Sequence, residues 1–143
     1  MRQPSTRLIG AALAVSTAAT VAPAVAAAAT TRSATATKSF TGVLGSAQRW
    51  GNVEVVITVK RTTATNATKK KTTSKEKIVS VRVPVYPNHT GRSVFINSQA
   101  LPILIQETTH AQSASINLVG GATYTSEGFA QSLQSAILKA KSW

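Results

Sequence analysis

The chain has 143 residues, enough for one domain and too few for two ordinary ones. It contains no cysteine and no aspartate, and its 16 lysine and arginine residues against 4 glutamates give a net charge of +12. Thiol catalysis, iron–sulfur clusters and zinc–thiolate sites are therefore excluded, and paired-carboxylate hydrolysis, an aspartate-oriented triad and an oxygen-rich calcium site lack their groups. Because acid–base groups are so scarce, we predict no catalytic residue and no metal site, and we expect any chemistry to come from a cofactor.

The first 26 residues are typical of an export signal. Arg2 and Arg7 form a basic start, residues 8–25 are uncharged and rich in alanine, and a final Ala-Val-Ala offers small residues to a signal peptidase. The alternative is an uncleaved membrane anchor, which the hydroxyl residues and the proline within the run disfavour. We therefore expect an exported, extracytoplasmic protein, either secreted or associated with the membrane or cell wall.

Residues 27–39, rich in alanine, threonine and serine, should form a flexible leader before a folded domain. A first strand is predicted over residues 40–47. Residues 53–59 and 78–83 are rich in β-branched side chains and partly alternate in polarity, which predicts two strands that pair as a hairpin. Their connection, residues 60–77, has no apolar periodicity and carries seven basic residues against one glutamate, so we expect a long, solvated basic loop.

The spacing of apolar residues then changes from that of a strand to that of a helix. Over residues 96–105 they recur three to five positions apart, as one helical face requires, with Asn97 or Ser98 as the expected N-cap. Pro102 lies inside this helix and argues for a kink or a second start. Residues 115–119 are predicted to form a short strand.

A second helical face runs through residues 129–140, and Thr125 or Ser126 is the expected cap. The order of elements predicts an α+β domain over residues 40–143, in which a small antiparallel β-sheet has two helices packed on one face.

A glycine-rich motif precedes this second helix, where residues 119–126 read Val-Gly-Gly-Ala-Thr-Tyr-Thr-Ser. Gly120, Gly121 and Ala122 allow a backbone to approach a ligand closely, and Thr123 presents a nucleophilic oxygen. The free amides and the positive dipole end of a helix at this place would attract phosphate. Taken alone, such a motif is more often a turn followed by a helix cap.

Together with the Ile-Asn-Ser-Gln-Ala-Leu-Pro segment at residues 96–102, this motif closely resembles the FMN-binding domain family. That family includes exported flavoproteins and the flavin-carrying subunits of sodium-pumping NADH:quinone reductase and related electron-transport complexes. The resemblance extends over residues 40–141 and implies an extracytoplasmic electron carrier, rather than a stand-alone enzyme, with FMN attached through a threonine phosphoester. It also implies two partners, a membrane-bound redox protein and a flavin transferase.

The resemblance identifies Thr123 as the residue that accepts FMN, with Gly121 and Ala122 as the small residues before it. Where the family's fuller attachment pattern has an aspartate and a hydroxyl residue, this chain has Asn117 and Gly120.

Five neighbouring residues complete the candidate cofactor site, each with an ordinary structural alternative. The phosphate would lie at the N-terminus of the helix that contains Thr125. Tyr124 is a candidate neighbour of the flavin ring or a core residue, and Arg92 is a candidate partner for phosphate or a solvated side chain. Asn97 and Ser98 are candidate hydrogen-bond donors to the flavin or its ribityl chain, or capping residues.

The basic segment supports a rival hypothesis, in which the protein is a flavin-free adhesion module. Residues 60–77 would then bind an anionic membrane, a cell-wall polymer or an acidic partner. Nucleic acid is not expected, because the segment contains no aromatic residue for base stacking.

Overall fold

The structure, a computed structural model, describes residues 31–143, so the expected signal peptide and the first residues of the leader lie outside the described residues. Two long helices and four strands follow one another in this part of the chain, with a single turn of 3-10 helix at Gln48–Trp50. In chain order they are β1 Thr31–Thr41, β2 Gly45–Ser46, β3 Asn52–Asn66, β4 Lys71–Val85, α1 Gly91–Ala111 and α2 Thr123–Lys141. The predicted α+β class is confirmed.

Strand β3 is the centre of an antiparallel sheet. On one side it pairs with β1 and, nearer its start, with the short β2; on the other side it pairs with β4. The β3–β4 ladder extends from the Glu54–Val85 pair to the Asn66–Lys71 pair, with two register shifts on the way. The two strands therefore form one long hairpin.

Both helices cover the same face of the sheet. Val53, Val55, Ile57 and Val59 alternate along β3 and are buried, because every second side chain of a strand points to the same side. They join one core cluster with apolar residues of both helices, which are Leu101, Leu104, Phe129, Leu133, Ala136 and Ala140. The predicted packing of two helices on one face is confirmed.

The backbone of helix α2 lies directly against the backbone of the sheet and of the segment that follows β1. A Cβ atom at Gly45 would lie 1.8 Å from the carbonyl oxygen of Gly128, and one at Gly42 would lie 2.0 Å from that of Ser132. The buried Ser132 Oγ accepts a hydrogen bond of 2.9 Å from the backbone N–H of Val55. Since these contacts leave no room for a side chain, they determine where α2 lies and where its N-terminal end points.

The prediction of a flexible leader over residues 27–39 is wrong for residues 31–39, because these residues belong to β1. Each of them has a partner on β3, from the Thr31–Asn66 pair onward. The sequence concealed this strand because all nine side chains are exposed, so no alternation of apolar and polar residues marks it. Threonine nevertheless favours the extended backbone, and ladder hydrogen bonds need no apolar side chain.

The prediction of a solvated loop over residues 60–77 is also wrong, because β3 and β4 continue through this segment as paired strands up to a short turn. Only residues 67–70 form the turn, where the Oδ1 atom of Asn66 accepts hydrogen bonds from the N–H groups of Thr68 at 3.0 Å and Lys69 at 3.2 Å. No residue from 60 to 77 is buried. We call this two-stranded extension, residues 60–77, the hairpin arm.

Several predicted boundaries were also wrong. The first strand, predicted over residues 40–47, is divided between the end of β1 and β2, and residues 115–119 are not a strand. Helix α1 begins at Gly91 rather than beside Asn97, because the Thr90 hydroxyl accepts a hydrogen bond of 3.0 Å from Ser93 N–H and so caps it earlier. Among residues 31–143, neither helix is sufficiently apolar along its length to span a membrane.

Helix α2 begins at Thr123, and the caps expected at Thr125 or Ser126 are wrong. Both residues lie in the first turn and are buried, with relative exposures of 7% and 0%. The first hydroxyl of the motif therefore stands at the start of the helix rather than before it.

Candidate functional site

An open cleft lies between the N-terminal ends of the two helices. The empty space within it is about 430 Å³, which includes open solvent, and its cavity volume is about 80 Å³. Its walls come from the 3-10 turn, from the segment before α1 and from the first turns of both helices. The lining residues are Trp50, Pro87, Arg92, Ser93, Ile96, Asn97, Gly121, Ala122, Thr123, Tyr124 and Thr125.

Seven of the nine residues predicted as a cofactor site line this cleft, and two do not. Ser98 lies on α1 but does not line the cleft, and its hydroxyl donates a hydrogen bond of 2.7 Å to the carbonyl oxygen of Phe95. Gly120 lies in the turn before α2, and a Cβ atom there would meet nothing within 4 Å. The remaining seven come together although they belong to two groups that lie far apart in the sequence, at residues 92–97 and 121–125.

The turn that presents Thr123 is held by a buried serine. Ser126 Oγ accepts a hydrogen bond of 3.1 Å from Val119 N–H and donates one of 2.8 Å to the carbonyl oxygen of Ala122. Gly121 adopts a φ of 81°, a left-handed conformation that side chains disfavour. These constraints leave Thr123 exposed to solvent at the first position of α2.

The N-terminus of α2 is electrostatically open to an anion. No side chain caps it and no acidic residue lies in its first turn. The first N–H groups of any α-helix lack intrahelical partners, and in α2 no capping side chain accepts their hydrogen bonds. These groups carry the positive end of the helix dipole. Arg92, from the first turn of α1, also lines the cleft, whereas no carboxylate is among the lining residues. The cleft thus combines a full positive charge with free N–H donors.

Asn97 carries a buried acceptor that has no partner among the described residues. The side chain is 1% exposed, and its Nδ2 donates a hydrogen bond of 2.7 Å to the carbonyl oxygen of Pro87. Its Oδ1 atom is buried and accepts no hydrogen bond within residues 31–143. An unsatisfied buried acceptor costs about 1–3 kcal/mol, so a donor on a bound molecule would be favoured at this position.

The rim of the cleft is aromatic. Trp50 and Tyr124 line it and remain 36% and 47% exposed. The guanidinium of Arg49 lies 5.2 Å from the centroid of the Trp50 ring and supports it from outside the lining. Large, accessible aromatic faces of this kind suit a planar ligand.

Sequence reasoning missed four lining residues, which are Trp50, Pro87, Ser93 and Ile96. Trp50 could have been recognised from the sequence, because an aromatic residue in a turn beside Gly51 is not expected to pack in the core and is available to a ligand. Gly51 adopts a φ of 119°, and a Cβ atom there would lie 3.2 Å from the ring of His89. This close approach brings the turn against the segment that contains Pro87, which the sequence could not reveal.

Asn117, which stands where the resembling family has an aspartate, lies outside the cleft. It is exposed, and its Nδ2 lies 3.4 Å from the Oε2 atom of Glu107 at hydrogen-bonding distance. It is therefore not among the residues that line the cleft.

No family model matches this chain, and no curated protein matches it significantly in sequence. Among residues 31–143, no three or more histidine, aspartate or glutamate side chains are grouped as a metal ion would require.

Proposed function

We propose that the protein is an exported electron carrier that holds FMN in the cleft between the two helix N-termini, through a phosphoester on Thr123. The observation that carries this proposal is the juxtaposition of three features in one cleft. An exposed hydroxyl stands at an uncapped helix N-terminus, Arg92 lines the same space, and the buried Oδ1 atom of Asn97 has no partner among the described residues.

The phosphate end of FMN fits the chemistry of the Thr123 wall. Helix N-termini bind phosphate through free amides and the positive dipole end, and Arg92 would add a charge-assisted hydrogen bond. Because the cleft lining contains no carboxylate, nothing in it repels a phosphate.

The remaining part of FMN fits the opposite wall and the rim. A ribityl hydroxyl or a ring N–H group would supply the donor that Asn97 Oδ1 lacks. Trp50 and Tyr124 offer aromatic faces to the ring. The cavity volume of about 80 Å³ is below the usual range for ligand sites, about 300–1,000 Å³, so most of the FMN molecule would lie over the open rim rather than inside the cleft.

Bound FMN would supply one- or two-electron transfer, for which this chain has no residues of its own. The open cleft would leave the ring edge accessible to a membrane-bound redox partner. No histidine or carboxylate lines the cleft, so no side chain there is suited to act as the base for attachment. A separate flavin transferase would therefore join the phosphorus of the FMN part of FAD to Thr123 Oγ1. The pyrophosphate bond breaks, and AMP leaves with the hydroxyl proton.

The test is to produce the full chain in an exporting host together with a flavin transferase, and to record the visible spectrum and the intact mass. We expect a yellow protein whose mass exceeds that of the unmodified chain by one FMN minus one water. Thr123→Val keeps the side-chain shape without the hydroxyl and should abolish the added mass. Thr123→Ser is the matched control, since it retains a hydroxyl at the same place and should still be labelled.

Two other outcomes would change the conclusion. If Thr123→Val purifies with FMN that dissociates on denaturation to the same extent as in the wild-type protein, the cleft binds flavin without a covalent bond. If the wild-type protein is colourless under every loading condition, the flavin-free adhesion module replaces the electron carrier.

A further inference from the structure

The ladder register divides the basic residues of the hairpin arm between two opposite faces. Lys60 is paired with Lys77, and Thr62 with Lys75, at positions that alternate with the buried residues of β3. Since alternate residues of a strand point to opposite sides, these lysines lie on the sheet face turned away from the helices. By the same alternation, Lys71, which pairs with Asn66, also lies on this outer face; residues that share this face are said to have the same parity. We call Lys60, Lys71, Lys75 and Lys77 the outer lysine row.

Hydroxyl side chains surround the outer lysine row. On β1, Thr37 pairs with Lys60 and Thr35 pairs with Thr62, so both have the parity of the row. Thr73 lies between Lys71 and Lys75 on β4 at the same parity. No acidic residue has this parity within the arm. The nearest on β3 is Glu54, six residues before Lys60.

The opposite face of the arm is neutralised and already paired. Arg61 donates hydrogen bonds of 2.9 Å and 2.5 Å to Glu76 Oε1, and its guanidinium lies 4.4 Å from the ring centroid of Trp143. Farther out, the hydroxyls of Thr65 and Thr72 lie 3.4 Å apart at hydrogen-bonding distance. The unpaired positive charge of the two strands is therefore concentrated on the outer face.

We propose that the outer lysine row is a docking surface for a linear polymer of repeating phosphodiester groups that carries no bases, of the poly(glycerol phosphate) type. Lys71, Lys75 and Lys77 follow one another along β4, and at about 3.3 Å per residue they span about 20 Å. Lys60 stands beside Lys77 on the adjacent strand, about 4.8 Å away in the backbone. A straight row of charges matches an extended chain of phosphates better than it matches one small anion.

The composition of the arm favours a polymer without bases over a lipid surface or a single-stranded nucleic acid. Residues 31–38 and 60–77 contain no aromatic and no large aliphatic side chain. Binding to a lipid surface commonly adds apolar side chains that enter the interface, and binding to single-stranded nucleic acid commonly adds aromatic stacking. The threonine hydroxyls between the lysines are instead suited to donate hydrogen bonds to phosphate oxygens.

The lysines are close enough to act together at physiological salt. Lys75 and Lys77 are two residues apart, about 6.6 Å, which is within the Debye length of about 8 Å at 0.15 M. Each contact with a single-stranded polyanion releases about 0.7 counterion, so binding should weaken steeply as salt rises.

The experiment compares two triple variants of the full chain that lose the same charge. Lys60→Gln/Lys75→Gln/Lys77→Gln removes three members of the row. The control Arg32→Gln/Lys69→Gln/Lys70→Gln removes one residue of the opposite parity and two from the turn. Binding to immobilised poly(glycerol phosphate) is measured from 0.05 to 0.3 M salt, and circular dichroism verifies that both variants are folded.

We expect the row variant to bind the polymer at least about tenfold more weakly at 0.15 M salt, with a salt slope shallower by about 2, while the control changes by less than about threefold. Equal losses in both variants would overturn the proposal, because net charge rather than the outer face would then determine binding. Absence of wild-type binding at 0.15 M salt would overturn it too.

Two parallel probes test the choice of partner. Tighter binding of the wild-type protein to phosphatidylglycerol vesicles than to the polymer would assign the face to membranes, and tighter binding to oligo(dT) would assign it to nucleic acid. Either result overturns the proposal. None of these measurements depends on flavin, so the docking surface and the electron carrier can fail separately.

Discussion

The two ends of the long β3–β4 hairpin differ in what holds them. Near the helices, β3 buries every second side chain between Val53 and Val59. In the hairpin arm, no side chain is buried, and the strands are held by their ladder and by hydroxyl contacts at the surface. The same pair of strands therefore supplies the floor of a core at one end and an exposed charged surface at the other.

The boundary between the two ends is a small cluster around one aromatic side chain. Trp143 packs against Phe40 with ring centroids 5.6 Å apart, and the charged groups of Lys38 and Arg61 lie over its ring. Arg61 also pairs with Glu76 across the hairpin. Because apolar packing stops at this cluster, changes on the cleft side should affect the whole domain, and changes in the arm should remain local.

The largest effect is expected where the backbone of α2 touches the sheet. Gly45→Ala places a Cβ atom 1.8 Å from the Gly128 carbonyl oxygen, so the helix or the strand must move. We expect the free energy of unfolding to fall by about 3 kcal/mol or more in a urea titration. Gly120→Ala, whose added methyl group meets nothing within 4 Å, is the control and should change it by less than about 0.5 kcal/mol. Similar losses in both variants would contradict the close contact.

An intermediate effect is expected in the cleft. Asn97→Leu keeps a similar volume but removes the hydrogen bond to Pro87 and the unpartnered acceptor. We expect the affinity of the unlabelled protein for free FMN to fall by about tenfold, as measured by fluorescence titration. Ser98→Ala, on the adjacent position but outside the cleft, should leave the affinity within about twofold. An unchanged affinity in Asn97→Leu would show that this side chain does not contact the flavin.

The smallest effect on folding is expected in the arm. Replacing residues 63–74 with Asn-Gly joins Thr62 and Lys75, which are already register partners, through a two-residue turn. Because no removed side chain is buried, we expect the free energy of unfolding to change by less than about 1 kcal/mol and FMN content to stay the same. Polymer binding should weaken, since Lys71 of the outer lysine row is lost. A collapse of FMN content would show that the arm belongs to the cofactor site.

The elements that could be predicted from the sequence are those that pack in the core, and the elements that were missed are those that are exposed. The strand over residues 53–59 and the second helix were recognisable because their side chains alternate between core and solvent with the period of the element. Strand β1 and the arm were missed because exposed threonine, serine and lysine residues leave no such period, although their backbones are fully paired. Helix starts were misplaced because several hydroxyl residues were possible caps, whereas Thr90 caps α1 and no side chain caps α2.

By itself, the sequence determined the α+β class and the glycine-rich turn that precedes the second helix. Both depend on properties of short segments, namely the burial period and the glycine-rich turn before a helix. Only the tertiary structure decided that Arg92 and Asn97 meet Thr123, and that Trp50 closes their cleft. These positions come from segments far apart in the chain, and they meet because α2 touches the sheet through glycines and Asn97 holds the segment at Pro87. Contacts of this kind depend on distances in the folded chain, which no local pattern of residues contains.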